Sequence, residues 1–145
     1  MLEIVALLCA GLFAGAAIYV NLVEHPARLE CGVTAAIAEF GPSYRRAAVM
    51  QASLAAVGSL AAVVAWSRGS HPTVLVAGLV LGAVVPFTLV VIRPTNKRLL
   101  DARLDRDSSE AAALLVRWGR LHAIRSVLSS VAFLLLGLHR AGIVT

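Results

Sequence analysis

The sequence predicts an all-α protein, a membrane-spanning antiparallel four-helix bundle with its third and fourth helices extended into the cytoplasm. Apolar runs at about residues 2–23, 47–66, 74–92 and 123–138 fill most of the 145-residue chain, and nearly every charge lies between them. Hydrophobic residues make up 59% of the chain and charged residues 14%, and the mean hydropathy is +0.85. A soluble domain of this size cannot bury so much apolar surface.

About 20 helical residues span a bilayer, and the first three runs reach or approach that length. We therefore expect one domain over residues 1–145. Its helices are predicted at about residues 2–29, 44–66, 74–106 and 109–138.

The first helix is predicted to be retained and not cleaved as a secretory signal. It carries Glu3 where a signal has a basic segment, so the mature chain is expected to begin at or near Met1. Gly11 and Gly15 form a small-xxx-small pair, for which packing inside one bundle is favoured over a homo-oligomer contact. Pro26 removes a backbone hydrogen bond, which predicts a kink or a free carbonyl beside His25.

The segment before the second helix is predicted to be a loop, because residues 31–43 contain Gly32, Gly41 and Pro42. A short interfacial helix over residues 34–40 is compatible with it. Tyr44 then opens the second helix, which is almost uniformly apolar and is expected to serve packing.

The third helix is predicted to bend at Pro94 and to continue past the membrane to about residue 106. Asp107, with Glu110 three residues later, fits a capping box at the start of the fourth helix. At 1.5 Å per residue the fourth helix would be roughly 45 Å long, more than the hydrocarbon requires.

The charge pattern predicts the orientation. Eleven of the 13 Lys and Arg residues fall between the first and second runs or between the third and fourth, leaving Arg68 and Arg140 for the other side. The positive-inside bias places residues 24–46 and 93–122 in the cytoplasm and both termini outside, in a bacterial plasma membrane. Membrane lipids are the expected partners of this basic surface, and nucleic acid is not.

Polar residues gather at the basic end of the predicted bundle. Trp118, His122 and Arg125 are spaced i, i+4, i+7 and share one stripe of the fourth helix. Up-and-down topology brings them beside His25 on the first helix and Asn96 on the third. Ionisable groups at membrane depth are costly, so a pocket with a function is expected there.

Each of these residues also has a structural interpretation. Trp118 fits an interfacial aromatic belt, Arg125 fits snorkelling to lipid phosphate, and Asn96 fits repair of the backbone beside Pro94. His71 and His139 lie at the opposite end and are interpreted as surface residues.

Metal binding is a minority interpretation. His25 and His122 with Glu24 would supply the ligands, but zinc and copper sites usually take three or four ligands, and the chain has neither HExxH nor CxxC. We therefore expect no metal and no other cofactor.

Three stretches resemble the anthrone-oxygenase-like family of small four-helix membrane proteins. They are GLFAGAAIYV with EHP (residues 11–20 and 24–26), PTNKRLLD (residues 94–101), and the Trp-x-x-x-His-x-x-Arg pattern at residues 118–125. The resemblance implies a cofactor-independent oxygenase that converts an anthrone to an anthraquinone. The lipophilic aromatic substrate would lose a proton to His122 or His25 and then react with dioxygen.

The remaining roles follow from the same resemblance. Arg125 and Asn96 would stabilise the developing oxyanion, and Trp118 would stack on the aromatic ring. Asn21 and Tyr44 complete the expected substrate-binding set. Two alternatives stay open: a non-catalytic scaffold or lipid-binding subunit that holds a partner through residues 97–120, and a metal- or haem-binding redox protein.

Overall fold

The computed structural model describes residues 1–144 and is built from four long helices. They are α1 (Leu2–Glu30), α2 (Val33–Ser67), α3 (Pro72–Leu99) and α4 (Ser109–Arg140). Each is long and apolar enough to cross a bilayer. The predicted fold class, an all-α membrane-spanning bundle, is confirmed.

Short connections make consecutive helices antiparallel and place both termini at one end of the bundle. We call that end the terminal end, and we call the other, formed by residues 24–46 and 93–122, the basic end. Helix α1 packs against α2 and α4, and α3 packs against the same two helices. A hydrophobic core of mainly small side chains fills the terminal half, and a second cluster around Phe40, Leu115 and Trp118 fills the basic half.

Two of the helices contain a π-helical turn just before a proline. In α1 the turn covers Val20–Glu24, and in α3 it covers Thr88–Ile92. The backbone N–H of His25 bonds to the carbonyl of Val20, five residues back. Proline lacks the N–H that would continue the α-helical ladder, and the π turn comes directly before each proline. The local disturbance predicted beside His25 therefore takes the form of a π turn.

Helix α2 begins at Val33, so the prediction of a loop over residues 31–43 was wrong. Gly32 alone makes the turn, with φ of +89°. Gly41 and Pro42 lie inside the helix, and Pro42 is exposed, where the carbonyl it leaves unpaired can meet solvent. Burial of Ile37 and Phe40 in the cluster of the basic half outweighs the weak local propensity.

Helix α3 ends at Leu99, so its predicted extension to residue 106 was also wrong. Turns occupy residues 100–108, where the side chains of Asp101 and Asp105 accept hydrogen bonds from backbone N–H groups two residues on. Such local bonds compete with the helical ladder. The cap of α4 is Ser108 and not Asp107, since the Ser108 hydroxyl accepts a 3.1 Å bond from the N–H of Ala111.

Glycines let α2 and α3 approach closely in the terminal half. An added Cβ at Gly78 would lie 2.5 Å from the Cβ of Ala62, and one at Gly82 would lie 2.6 Å from the Ser59 hydroxyl. That hydroxyl also donates a 2.8 Å bond to the carbonyl of Gly78. In a membrane, where hydrophobic burial does not drive helices together, such close contact stabilises the pair.

Gly78→Ala should therefore destabilise the bundle by about 1–3 kcal/mol, because the added methyl overlaps Ala62. The matched control is Gly15→Ala, since nothing lies within 4 Å of an added Cβ at Gly15. Alanine is the better helix former, so that change should be neutral or stabilising. Unfolding in mixed micelles measures both, and equal free energies of unfolding for the two variants would contradict the packing argument.

Candidate functional site

A cavity of about 170 Å³ lies between the two hydrophobic clusters of the bundle. All four helices contribute to its wall, which is mostly apolar and aromatic with a few polar groups. The principal lining residues are Phe13, Glu24, Arg28, Phe40, Ser43, Tyr44, Gln51, Thr88, Trp118, His122 and Arg125. This composition is typical of a small-molecule site.

The hydrogen bonds around His122 determine which of its ring nitrogens carries the proton. The amide nitrogen of Asn21 donates to the carbonyl of Gly119 at 3.1 Å, so the amide oxygen of Asn21 is directed to His122 Nδ1 at 2.8 Å. An amide oxygen only accepts, and therefore Nδ1 carries the hydrogen. The Ser126 hydroxyl donates to the same oxygen at 2.5 Å.

The neutral imidazole consequently keeps its lone pair on Nε2. Among residues 1–144, no group hydrogen bonds to Nε2, and the ring lines the cavity. His122 is thereby suited to accept a proton from a bound molecule. Asn21, which was predicted to bind substrate, lies behind the histidine and positions it.

Arg125 is buried in the bundle and donates a 2.6 Å hydrogen bond to the side-chain oxygen of Gln51. Its guanidinium also lies over the ring of Phe13, 5.4 Å from the centroid. The alternative that Arg125 snorkels to lipid phosphate is therefore wrong. The expectation that the second helix serves only packing is also wrong, because Gln51 is a polar wall residue.

Two donor nitrogens of this pair remain free. Arg125 Nε and Gln51 Nε2 are buried and have no hydrogen-bond partner in the part of the chain that the structure describes. A buried donor left unpaired costs about 1–3 kcal/mol, so an acceptor atom brought within reach of either nitrogen would be bound favourably. The polar side chains of Arg125 and Gln51 also line the mostly apolar cavity.

Trp118 lies at the centre of an aromatic cluster beside the cavity. Its ring centroid lies 5.1 Å from that of His25, 4.8 Å from that of His122 and 5.3 Å from that of Phe40. The indole N–H donates a 2.9 Å bond to the side-chain oxygen of Asn96. Trp118 is buried inside the bundle, so it does not belong to an aromatic belt facing lipid.

His25 and Asn96 converge with His122 as predicted, but they converge on Trp118 and lie behind it, away from the cavity wall. An added Cβ at Gly119 would lie 2.6 Å from His25 Nε2, so only glycine lets the imidazole approach α4 this closely. His25 and Asn96 therefore support the indole of Trp118. Neither lines the cavity, as the predicted catalytic role would require.

Arg28 closes the cavity toward the basic end. Its buried guanidinium pairs with Glu24 on α1 and with Glu39 on α2, and it also contacts the Ser43 hydroxyl at 3.3 Å. The Ser43 hydroxyl in turn donates to Glu24 at 2.7 Å. Two carboxylates neutralise the charge, and the network ties α1 to the first turns of α2.

Sequence reasoning missed several wall residues, and one signal would have found them. Phe40, Tyr44, Gln51 and Ala55 are spaced so that they share one face of a continuous α2, and all of them line the cavity. The predicted loop over residues 31–43 removed Phe40 from this stripe, whereas Gln51 and Ala55 lay inside the predicted second helix and were missed because that helix was expected to serve packing. Of the predicted substrate-binding residues, Tyr44 does line the cavity, and its ring stacks on Phe40 at 5.7 Å.

The minority metal interpretation finds no support in residues 1–144, where no group of three or more His, Cys, Asp and Glu side chains could hold an ion. Glu24, its proposed third ligand, is occupied by Arg28 and Ser43.

Comparison with known proteins gives two matches. A family model described as anthrone oxygenase matches residues 40–135, which include Gln51, Trp118, His122 and Arg125. A stretch of 62 residues is 37% identical to anthrone oxygenase tpcL of Aspergillus fumigatus. It covers 41% of this chain and 38% of that protein, so the match spans well under half of the relative's length. No solved structure matches.

Replacing Asn96 with Leu should release the indole of Trp118, because the buried N–H loses its acceptor. In a Trp66→Phe background Trp118 is the sole tryptophan. The indole N–H resonance should shift upfield and exchange faster with solvent. Thr95→Val, a change at the neighbouring buried position, serves as the control and should leave the resonance in place. An unmoved resonance in Asn96→Leu would show that Asn96 does not position Trp118.

Proposed function

The chain belongs to the anthrone oxygenase family, as its motifs predicted, and we propose that it oxidises a lipophilic phenolic aromatic molecule with dioxygen in the cavity between its helices. The family suggests an oxygenase, and the reaction, the substrate and the residue roles given below are our proposal. Membrane lipids and this aromatic molecule are the partners that we propose.

The observation that carries the proposal is the state of His122. Its Nδ1 is committed to Asn21, and its unpartnered Nε2 belongs to the wall of an apolar cavity. A general base must lie within reach of the proton that it takes and must hold a free lone pair. Within the cavity wall, His122 meets both conditions.

The chemistry requires no bound metal or cofactor. His122 removes a proton from the acidic methylene of an anthrone-like ring system and leaves an electron-rich enolate. The enolate carbon gives electrons to dioxygen and forms a carbon–oxygen bond. The peroxide then loses water, so that one oxygen atom of dioxygen becomes the new carbonyl and the other leaves with the two hydrogens of the methylene.

Arg125 and Gln51 are proposed to stabilise the enolate oxygen. Both side chains line the mostly apolar cavity, where a hydrogen bond to developing charge is stronger than in water. Trp118 and Tyr44 offer flat surfaces for the aromatic ring. His25 and Asn96 act through Trp118, as positioning residues.

We also propose that the basic end faces the cytoplasm. Nine exposed basic residues support this orientation, against Arg68 and Arg140 at the terminal end. They are Arg45, Arg46, Arg93, Lys97, Arg98, Arg103, Arg106, Arg117 and Arg120. Arg28 and Arg125, which counted toward this bias in the sequence, are buried and do not contribute to it.

His122→Ala should lower the rate of oxygen uptake with an anthrone substrate by about 100-fold or more, since a general base contributes 10²–10⁴ to the rate. Helical content and thermal stability report whether the variant remains folded. His139→Ala, at the terminal end, is the control and should leave the rate unchanged. A folded His122→Ala protein with normal oxygen uptake would rule out this base.

Asn21→Leu should lower kcat on the order of 10²-fold, because the imidazole loses the bond that holds its orientation and its protonated Nδ1. KM should change little, since Asn21 does not line the cavity. Asn21→Asp keeps an oxygen acceptor at the same position and should retain more of kcat than Asn21→Leu. Steady-state oxygen consumption gives both constants, and a change confined to KM would place Asn21 in substrate binding instead.

A further inference from the structure

The cavity is open on one side, between α2 and α3. Ala48 and Ala52 on α2 and Val85 and Leu89 on α3 lie both on the cavity wall and, in part, on the outer surface of the bundle. Leu89 is 57% exposed although it lines the cavity. We call these four residues the mouth.

The mouth faces lipid, because its residues lie within the membrane-spanning stretches of α2 and α3. Toward the basic end the cavity is closed by the Arg28 network with Phe40, and toward the terminal end by the buried side chains of Phe13, Ala55 and Val84. His122 and Trp118 form the wall on the α4 side. A molecule dissolved in the bilayer therefore meets the mouth directly.

The same two helices are closed in the terminal half. There Gly78 and Gly82 bring the α3 backbone against Ala62 and Ser59 of α2. In the basic half, α2 carries alanines at positions 47, 48 and 52 along the cavity. Larger side chains at these positions would reach α3 and fill the cavity. Small residues thus allow close contact between α2 and α3 in the terminal half, and they leave an opening between the same helices in the basic half.

We infer that the substrate enters sideways from the bilayer through the mouth, with its polar oxygens directed inward to Arg125 and Gln51. The inference deepens the proposed function and rests on it for the identity of the occupant. A dry cavity of about 150 Å³ holds one benzene ring. The cavity here is only slightly larger, so a molecule of several fused rings extends into the mouth and contacts Ala52 and Leu89.

The test measures entry without catalysis. The protein, with Trp66→Phe leaving Trp118 as the sole tryptophan, is reconstituted in phosphatidylcholine vesicles. A bromonaphthol that partitions into lipid is added, and stopped-flow fluorescence follows quenching of Trp118, which lines the cavity. Bromine quenches indole at short range, so the rate of quenching reports the arrival of the probe in the cavity.

Ala52→Leu should slow this quenching by about tenfold, because an isobutyl group fills the mouth. Ala56→Leu, one turn further on the same lipid-facing surface and outside the cavity wall, should leave the rate unchanged. Leu89→Ala enlarges the mouth and should speed quenching. Its control is Leu79→Ala, since Leu79 is also 57% exposed on α3 but does not line the cavity.

Equal rates within both pairs of variants would overturn lateral entry. The Leu89→Ala comparison keeps the test decisive if Ala52→Leu fails to fold. If all four variants take up oxygen and show an unchanged quenching rate, the proposed oxygenase function is supported and entry through the mouth is contradicted. The predicted quenching pattern without any oxygen uptake would do the reverse, since quenching needs neither oxygen nor turnover.

Discussion

A guanidinium inside a lipid-embedded bundle must find hydrogen-bond acceptors in the protein, and the bond from Arg125 to Gln51 meets that requirement here. The bond fixes the face that α2 turns toward α4, and with it the stripe of Phe40, Tyr44 and Gln51 on the cavity wall. Within residues 1–144 the bond does not use every donor of the pair, since Arg125 Nε and Gln51 Nε2 are buried without a partner. The bond that holds α2 to α4 therefore also sets the polar groups that the proposed reaction would use.

The polar groups around the cavity form two layers with different tasks. The inner layer is on the cavity wall and contains His122, Arg125 and Trp118. The outer residues contact it from behind: Asn21 bonds to His122, and His25 and Asn96 contact Trp118. The three contacts differ in kind. Asn21 accepts a hydrogen bond from the His122 imidazole, His25 packs its ring against Trp118, and Asn96 accepts a hydrogen bond from the indole N–H. Side chains with few rotatable bonds and several contacts are held in one geometry, as the proposed reaction would require of its base.

The bundle and the identity of the central residues were predictable because they follow from features that act locally. Apolar runs of bilayer length predict spans, and i, i+4, i+7 spacing puts Trp118, His122 and Arg125 on one stripe. The start of α2 at Val33 was not predictable from Gly41 and Pro42, since it depends on burial of Phe40 and on the partners of Arg28, which are tertiary contacts. Gln51 lay inside the predicted second helix, and its role was missed because that helix was expected to serve packing. The two-layer arrangement also lay beyond the sequence, because spacing along a helix does not tell whether a side chain lines a space or supports its neighbour.

The π turn in α1 adds one residue to the helix without changing the direction in which the following side chains point. A π turn accommodates one more residue than an α-helical turn, and each residue of an α-helix advances the chain by about 100° around the axis. Loss of a single residue from Val20–Glu24 would restore a regular helix and keep His25 and Arg28 near their present direction, whereas the same loss in the regular part of α1 would rotate the side chains on either side of it by about 100° relative to one another. Within the turn only Leu22 and Val23 are exposed, so the constraint on this segment falls on Val20, Asn21 and Glu24, which contact the cavity or His122.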